Sequence, residues 1–455
     1  MRYIPHTEHD IQAMLAALGV DSVEDLIRHL PEDLRQNAGL DLAPGLAESE
    51  ITQRLTTFAE QQTGYSPERS FLGAGAYAHL VPVVVDQIVQ RAEFATAYTP
   101  YQPEVSQGTL QVIFEFQSLV ASLLGLEVAN ASMYDGASAT AEAVLMAKRI
   151  LPKRSRVLIA RSLHPQYRQV IRTYLDGFPD LSLVELGWDE TGRLDQTALA
   201  RHLDERVCGV AVGYPNVFGV VEDIAAVSRS AQDAGALTLS VTPESVALGI
   251  LKSPGELGAD IAVAEGQSLG IPLSYGGPGL GLFACRSRYV RNMPGRLVGE
   301  TVDQDGRNGF VLTLATREQH IRRERATSNI CTNHGLCALA ATVFLCLLGK
   351  QGLRELALRN VKNSHYLAEV LQQATGVQAR FPSPFFNEWV LTVPHARSVW
   401  GRLKEQGVIA GIVLEDWYAE LHDCLLVCAT ELHTREAIER FGQQLRQATT
   451  LTQVA

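Results

Sequence analysis

The sequence predicts an α/β protein with a parallel, doubly wound sheet in a large domain, followed by a smaller C-terminal α/β domain. Five short runs rich in apolar and β-branched residues predict strands at 156–160, 183–186, 207–212, 236–241 and 261–264. Helical patterns such as Ile224 to Ala234 separate several of these runs, which is the βαβ signature of a parallel sheet. The runs are almost continuously apolar, as expected of strands that are covered on both faces.

Length and composition restrict the protein to a few classes. At 455 residues the chain is too long for one simple core, and two domains with an extra arm are expected. The net charge of −11 disfavours a nucleic-acid partner and an anionic membrane, because both attract basic surfaces. No run approaches the ~20 apolar residues that span a bilayer, and the first residues lack the apolar run of a signal peptide. We therefore expect a cytoplasmic location.

The cysteines and histidines give no sign of a metal centre. Seven cysteines, an odd number mostly in apolar surroundings, indicate reduced thiols. Cys424 and Cys428 share a face of an expected strand, but no second Cys or His pair lies at ligand spacing from them. Twelve histidines include neither a His-x-x-x-His pair nor an HExxH motif. We therefore expect no metal ion.

Residues 1–70 predict a separate helical arm. The run Thr7-Glu-His-Asp resembles a capping box, with Asp in the place of the usual Glu or Gln. Apolar residues follow at helical spacing until Gly19, and a second helix is expected to begin at Asp21 or Ser22 and to run through Leu30. Such short helices gain little stability alone, so we expect the arm to pack on another surface.

Residues 71–335 predict the large domain, and residues 336–455 predict a bridging helix and the small α/β domain. Two consecutive helices are expected first, over 336–348 and 353–375. The remaining elements alternate, with strands at 388–393 and 424–430 and helices at 398–406 and 434–447.

The clearest helix start lies at Asp135-Gly136-Ala137, where a turn leads into an alanine-rich helix. Small residues let backbone N–H groups approach an anion, and the helix dipole favours negative charge there. This turn is a candidate cup for a phosphate group, and a plain helix cap with close packing is the alternative. A second glycine-rich turn, Ser274 to Gly281, fits a phosphate loop or a simple hairpin.

A stiff polar loop carries Tyr98, Tyr101, Glu104 and Gln107. Two prolines within it hold the backbone extended or turned. Hydrogen-bonding side chains on a rigid loop suit the wall of a pre-organised site. The alternative is a solvated connection into the helix that is expected to begin near Thr109.

Thr327, Ser328 and Asn329 follow a basic stretch and precede an apolar helix. Their side chains predict a cap for that helix. With the neighbouring arginines, they are also candidates for binding a phosphate group.

The chain has only six lysines, and none lies where this architecture calls for one. Enzymes that use pyridoxal phosphate (PLP) commonly carry a lysine after such a strand, but here the strand runs into Gln267 and Ser268, which cannot form a Schiff base. The acid that the pyridine nitrogen needs is also missing, because Thr242 ends the earlier strand and Glu244 lies beyond a proline. The positions of this degenerate site are Gln267, Ser268, Thr242, Gly136 and Ala137.

Taken together, these segments resemble the alpha subunits of the two-subunit glycine dehydrogenases (decarboxylating), the P-proteins of the glycine cleavage system. The resemblance runs nearly end to end. The motifs that carry it are Phe71-Leu-Gly-Ala-Gly-Ala-Tyr, Tyr98-Thr-Pro-Tyr-Gln-Pro-Glu, Met133-Tyr-Asp-Gly-Ala, Gly258-Ala-Asp to Gly-Gly-Pro-Gly, Ala326-Thr-Ser-Asn-Ile-Cys-Thr-Asn and Leu425-Leu-Val-Cys-Ala-Thr-Glu.

The resemblance implies a fold type I (aminotransferase-like) PLP-enzyme architecture in an alpha–beta pair that doubles into a heterotetramer. The cofactor lysine would lie on the separate beta subunit, so this chain would bind no PLP covalently and would be inactive alone. With that partner, the complex would decarboxylate glycine and pass the aminomethyl group to the lipoyl arm of H-protein.

Fold type I dimers build each active site partly from loops of the facing subunit, and this suggests roles for the two polar segments. Tyr98, Tyr101, Glu104 and Gln107 would orient substrate in the partner's site. Thr327 to Asn329 would donate hydrogen bonds to the phosphate of the partner's PLP.

Two other functions stay open at this point. The chain would be a self-sufficient PLP-dependent transferase if Lys252 were the cofactor lysine, although Lys252 precedes the strand at 261–264 and lies next to Pro254-Gly255 on an expected loop. Alternatively, the chain would be a non-catalytic scaffold built on a degenerate PLP-enzyme fold.

Overall fold

The computed structural model describes residues 5–39, 41–61, 66 and 68–454. Contacts within the chain divide it into two units, residues 1–63 and residues 64–455. The boundary at residue 70 and the division of the second unit at residue 335 stay predictions.

The first unit is helical, as the sequence predicts. Its helices are α1 (Glu8–Leu18), α2 (Val23–Leu26), α3 (Glu32–Asn37) and α4 (Glu48–Gln61). Thr7 and Asp10 form the expected capping box, and Gly19 ends α1 in the left-handed region at φ 69°. The second helix begins after Ser22 but ends at Leu26, so its predicted extension through Leu30 is wrong. The expectation that this arm packs on another surface stays a prediction.

The main sheet of the second unit has seven strands in the order β1-β7-β6-β5-β4-β2-β3. Their bounds are β1 (Val128–Ala129), β2 (Arg156–Ala160), β3 (Ser182–Leu186), β4 (Val207–Gly213), β5 (Leu237–Thr242), β6 (Ile261–Glu265) and β7 (Gly281–Cys285). Strands β2 to β6 run parallel to one another. Strand β7 pairs antiparallel with both of its neighbours, β6 and β1. The five strands predicted from the apolar runs are all present, each within one residue of the expected bounds.

Helices cover both faces of this sheet. They are α5 (Val83–Val89), α6 (Ala92–Ala95), α7 (Gln107–Leu124), α8 (Gly136–Ile150), α9 (Pro165–Leu175), α10 (Gln196–His202) and α11 (Ile224–Asp233). Successive strand residues alternate between two cores: Val210 packs with α7 and α11, and Ala211 packs with α8 and α9. A strand that is buried on both faces must be apolar at every position, which explains the continuous runs.

A two-stranded antiparallel ribbon, β8 (Leu297–Val302) with β9 (Asn308–Thr313), and the short α12 (Gln319–Arg322) follow the main sheet. The two predicted helices after residue 335 form one element, α13 (Gly335–Leu371), with a non-helical break at Gly349. By length and composition α13 is apolar enough to span a bilayer. However, Ala338, Ala341 and Phe344 are buried in the core of the main sheet, so its apolar character serves packing.

The C-terminal part has a second sheet of four antiparallel strands in the order β10-β11-β13-β12. The strands are β10 (Gln378–Ala379), β11 (Glu388–Thr392), β12 (Ile412–Val413) and β13 (Cys424–Cys428), and the helices are α14 (Ala396–Glu405) and α15 (Arg435–Val454). The predicted strands and helices of this part are present, although β13 ends two residues before the expected Thr430.

Candidate functional site

The candidate site lies at the carboxyl edge of the main sheet, where open α/β sheets generally bind ligands. Here β6 ends beside the start of α8, because Glu265 at the end of β6 accepts the Gly136 N–H. Asp135 caps α8: its side chain accepts the Ser138 N–H at 2.7 Å, and the Ser138 hydroxyl lies 3.3 Å from the Asp135 N–H. Gly136 is required at the first helical position, because a Cβ there would lie 2.4 Å from the Tyr167 hydroxyl. Ala137 follows in the first turn.

A side-chain carboxylate, that of Glu265, fills the cup that the sequence suggests for a phosphate. Its Oε2 accepts the N–H of Gly136 at 2.8 Å, and its Oε1 accepts the N–H groups of Gln267 at 2.9 Å and Leu280 at 2.8 Å. Burial raises the pKa of Glu265 to about 7, although these three N–H groups oppose the rise. The sequence reasoning missed Glu265; the available signal was a single carboxylate at the end of an otherwise apolar strand.

Gln267 and Ser268 follow the end of β6, at the positions where a PLP-enzyme lysine is expected from the sequence. The Gln267 side chain is fully engaged, since its Oε1 accepts the Tyr77 N–H at 3.1 Å and its Nε2 donates to the Ile271 carbonyl at 2.7 Å. The hydroxyls of Ser268 and Thr242 are buried and have no hydrogen-bond partner among the described residues. The Gln267 side chain at this edge is therefore held by the chain itself.

The segment 73–79 crosses the same edge and packs on a neutral histidine. His164 donates from Nε2 to the Ala74 carbonyl at 2.9 Å and accepts the Gln166 N–H at Nδ1. Burial lowers the pKa of His164 to about 4, so the ring is uncharged at neutral pH. Gly75 adopts φ 92°, and a Cβ there would lie 3.2 Å from the His164 ring. The backbone therefore lies directly against this ring.

The same segment carries His79 into a pair of buried carboxylates. His79 Nε2 lies 3.1 Å from Glu244, and Nδ1 lies 2.8 Å from Glu431. Although burial favours the neutral ring, the two carboxylates raise the pKa of His79 to about 10. Glu244, the acid beyond Pro243, is thus paired with a cation of this chain. It is not free for a cofactor ring.

Tyr77 and Glu388 link the segment to the second sheet. The Tyr77 hydroxyl donates to Glu388 at 2.6 Å, and the Ala74 N–H donates to the same carboxylate at 2.8 Å. Burial raises the pKa of Glu388 to about 7. Segment 73–79 therefore connects groups from both sheets through buried hydrogen bonds.

The residues at this edge do not fit PLP. A PLP site needs an amine for the aldehyde, an acid for the ring nitrogen and donors for the phosphate. Gln267 stands at the amine position, Thr242 ends the strand of the acid, and Glu265 already accepts the N–H donors of the cup. Lys252, the alternative amine, is exposed on a loop.

The predicted tyrosine loop has exposed and anchored residues. Tyr98 is 89% exposed and Tyr101 is 50% exposed, and Glu104 is also exposed. Gln107 is anchored instead, because its side-chain amide exchanges two hydrogen bonds of 2.9 Å with the backbone of Phe310. The roles expected for these four residues at a partner's site stay predictions.

Thr327, Ser328 and Asn329 do not cap the following helix, and that prediction is wrong. Helix α13 begins only at Gly335, with His334 as its N-cap residue. The Ser328 hydroxyl instead accepts the Ile330 N–H at 3.1 Å, within its own segment. The N–H of Thr327 donates to the Arg317 carbonyl at 2.9 Å. The role of this segment at a partner's phosphate stays a prediction.

Arg296, which the sequence reasoning missed, brings the two predicted segments together. It contacts Thr99 and Tyr101 on one side and Thr332 and Asn333 on the other. Its position just before β8 in an unremarkable Pro-Gly-Arg turn carried no local signal.

Comparisons of the sequence with known proteins all indicate the same family. Residues 1–445 match the family described as glycine cleavage system P-protein. The chain is 50% identical over 98% of its length to the whole of a probable glycine dehydrogenase (decarboxylating) subunit 1 from Anaeromyxobacter dehalogenans. It is also 50% identical over 99% of its length to the whole of a protein of the same name from Thermomicrobium roseum.

Solved structures agree with this result. A crystal structure of glycine decarboxylase (P-protein) of the glycine cleavage system in inhibitor-bound form matches with a TM-score of 0.90 and 43% identity, over 98% of this chain and 100% of that chain. A sphingosine-1-phosphate lyase from Burkholderia pseudomallei matches with a TM-score of 0.68 at 15% identity, over 93% of this chain and 97% of that one. The fold is that of the type I PLP enzymes, as predicted.

Proposed function

The chain belongs to the glycine cleavage system P-protein family, and we propose that it is the subunit of glycine decarboxylase that binds no PLP and works with a cofactor-bearing partner. Its part in glycine cleavage follows from the family. The division of labour between two subunits is the step that this proposal adds.

One observation carries the proposal: the carboxylate of Glu265 accepts the three backbone N–H groups that a cofactor phosphate would need. A phosphate and the Glu265 side chain cannot share that cup, because both would need the same N–H donors. The amine position is also lost, since Gln267 is bonded to Tyr77 and Ile271. The cofactor therefore belongs on another chain, the separate beta subunit.

This chain would serve the partner's site through its exposed polar loop. Tyr98, Tyr101 and Glu104 present hydrogen-bonding groups to the outside of the fold. They would orient glycine, and Thr327 to Asn329 would donate hydrogen bonds to the phosphate. PLP on the partner would supply an electron sink for the loss of carbon dioxide, and the lipoyl arm of H-protein would accept the aminomethyl group.

The remaining parts of the proposal concern assembly and location. We propose an alpha2-beta2 complex, since fold type I active sites lie between facing subunits. We also propose a cytoplasmic location, supported by the composition and the net charge of −11.

Reconstitution tests the proposal. The purified chain, the beta-type partner and their mixture would be assayed for visible absorbance of bound PLP and for exchange of labelled bicarbonate into the glycine carboxyl group. We expect both signals from the mixture, neither from this chain alone, and cofactor absorbance from the partner. Exchange by this chain without a partner would overturn the proposal in favour of a self-sufficient transferase.

The same assay tests the alternative that this chain is a non-catalytic scaffold. If the partner alone exchanged bicarbonate as fast as the mixture, this chain would contribute no catalytic group and the scaffold function would replace the proposal. Addition of H-protein to the mixture would report whether the lipoyl arm takes part in turnover.

A further inference from the structure

Arg296 is a buried guanidinium whose hydrogen-bond acceptors, in the described part of the chain, are all neutral oxygen atoms. The residue is 6% exposed. One terminal nitrogen lies 3.1 Å from the Thr332 hydroxyl, 3.4 Å from the Asn333 side-chain oxygen and 3.5 Å from the Thr99 hydroxyl. The other donates to the Tyr101 hydroxyl at 3.2 Å and to the Cys331 carbonyl. The arginine is therefore not held there by a hydrogen-bonded carboxylate.

These acceptors lie on two different segments. Thr99 and Tyr101 belong to the tyrosine loop, and residues 331–333 directly continue the segment Thr327 to Asn329. The guanidinium carbon also lies 5.4 Å from the centre of the Tyr101 ring, within the range of a cation–π contact. One side chain thus joins the tyrosine loop to residues 331–333, which begin two residues after Asn329.

The backbone that carries Arg296 is itself well anchored. The Arg296 carbonyl accepts the Ala131 N–H at 2.9 Å. The next residues enter β8, where Val298 exchanges two hydrogen bonds of 2.9 Å with the buried side chain of Gln117. The arginine therefore extends from the fixed core towards two surface segments, as a support for a functional loop should.

Burial of a charge is costly unless it is hydrogen-bonded, so an arginine here needs a reason beyond filling space. Each terminal nitrogen of the planar guanidinium contacts both segments, whereas a lysine offers a single nitrogen at that place. We propose that Arg296 is a positioning residue for the decarboxylation reaction, holding Tyr101 in the orientation that it needs at the partner's active site. This inference rests on the proposed function of the loop.

The test is a double-mutant cycle in the complex assembled with the beta subunit. Arg296→Lys, Tyr101→Phe and the double variant would be compared with wild type in glycine–bicarbonate exchange. We expect each single variant to lower kcat by roughly tenfold, with a smaller change in KM, because a misplaced side chain loses transition-state contacts. The double variant should fall no further than the stronger single variant, since both changes disable one contact.

A control variant separates the loss of a positioning contact from the general effect of replacing a buried arginine by lysine. Arg154 is also partly buried and donates to the carbonyls of Val207 at 2.6 Å and Ala234 at 3.0 Å. Arg154→Lys should leave kcat unchanged. PLP content and the thermal midpoint of each complex would show that the variants fold and assemble.

A milder variant covers the case in which Arg296→Lys fails to assemble. Thr332→Val removes one acceptor of the bridge and keeps the side-chain volume. It should lower kcat by a few-fold alone and add nothing to Tyr101→Phe.

The outcomes distinguish this inference from the function on which it rests. A reduced kcat for Tyr101→Phe with normal kcat for Arg296→Lys would overturn the positioning role and leave the proposed function intact. Effects that multiply in the double variant would also overturn it. Normal turnover in both single variants would show that the loop itself does not reach the partner's site.

Discussion

The side chain of Glu265 accepts the backbone N–H of Gly136 at 2.8 Å, so a carboxylate of the protein lies at the N-terminus of α8. The two residues are 129 positions apart in the chain. Helix N-termini at this edge favour negative charge because their first N–H groups have no partner within the helix. Glu265 thus provides an acceptor from within the chain for one of these N–H groups.

Loss of this internal anion should destabilise the chain. Glu265→Gln leaves one oxygen where the carboxylate has two, so at least one of the Gly136, Gln267 and Leu280 N–H groups loses its acceptor. We expect a loss of about 1–3 kcal/mol in the free energy of unfolding, measured by urea denaturation. Glu190→Gln, at an exposed position, is the matched control and should change stability little. Equal stability of the two variants would contradict this assignment.

Removal of the carboxylate should open the cup to an external anion. Glu265→Ala leaves three N–H donors converging on a space with no acceptor. Inorganic phosphate is therefore expected to raise the thermal midpoint of this variant and not that of the wild type, since a ligand that binds only the folded state stabilises it. A phosphate series with chloride at matched ionic strength gives the comparison. Identical shifts in both proteins would show that the cup does not select an anion.

Restoring an amine should not restore the cofactor site. Gln267→Lys introduces a lysine at the strand end, but the carboxylate of Glu265 still fills the cup. After incubation with PLP and borohydride reduction, peptide mapping should show no more pyridoxyl adduct at position 267 than at the exposed Lys252. Preferential labelling of position 267 would mean that Glu265 does not exclude the phosphate.

His79 should make stability depend on pH above neutrality. Its pKa rises from 6.5 to about 10 on folding, because Glu244 and Glu431 hold the proton despite burial. The folded state therefore binds more protons than the unfolded state between these values, so this contribution is complete below pH 6.5 and is lost as the pH rises towards 10. His79→Gln should flatten the decline of the unfolding free energy across that window. His422→Gln, at an exposed site, should retain the wild-type slope.

Glu104 should affect turnover without affecting the stability of its own chain. It is exposed on the tyrosine loop, so Glu104→Gln removes no buried contact. In the assembled complex we expect roughly tenfold slower glycine–bicarbonate exchange if the carboxylate helps to orient substrate. Glu190→Gln serves again as the control, and an unchanged thermal midpoint would confirm that folding is intact. An unaltered exchange rate would show that Glu104 does not help to orient the substrate.

The strands of the main sheet and the start of α8 were predictable because local chemistry determines them. A strand that is buried on both faces must be apolar throughout, and Asp135 with Ser138 satisfies the first N–H groups of a helix wherever the helix lies. Two local readings were wrong. Thr327 to Asn329 do not cap α13, which begins only at Gly335, and the second helix of the arm ends at Leu26.

The absence of a lysine around Gln267 could be seen in the sequence alone, because no side chain of that turn carries a primary amine. The sequence also determined the family and the fold type. Only the tertiary structure decided what fills the degenerate site and what joins the two polar segments. Glu265 meets Gly136, and Arg296 meets Tyr101, across 129 and 195 positions of chain. Such contacts depend on where the sheet edge brings distant backbone together, and no local pattern encodes that geometry.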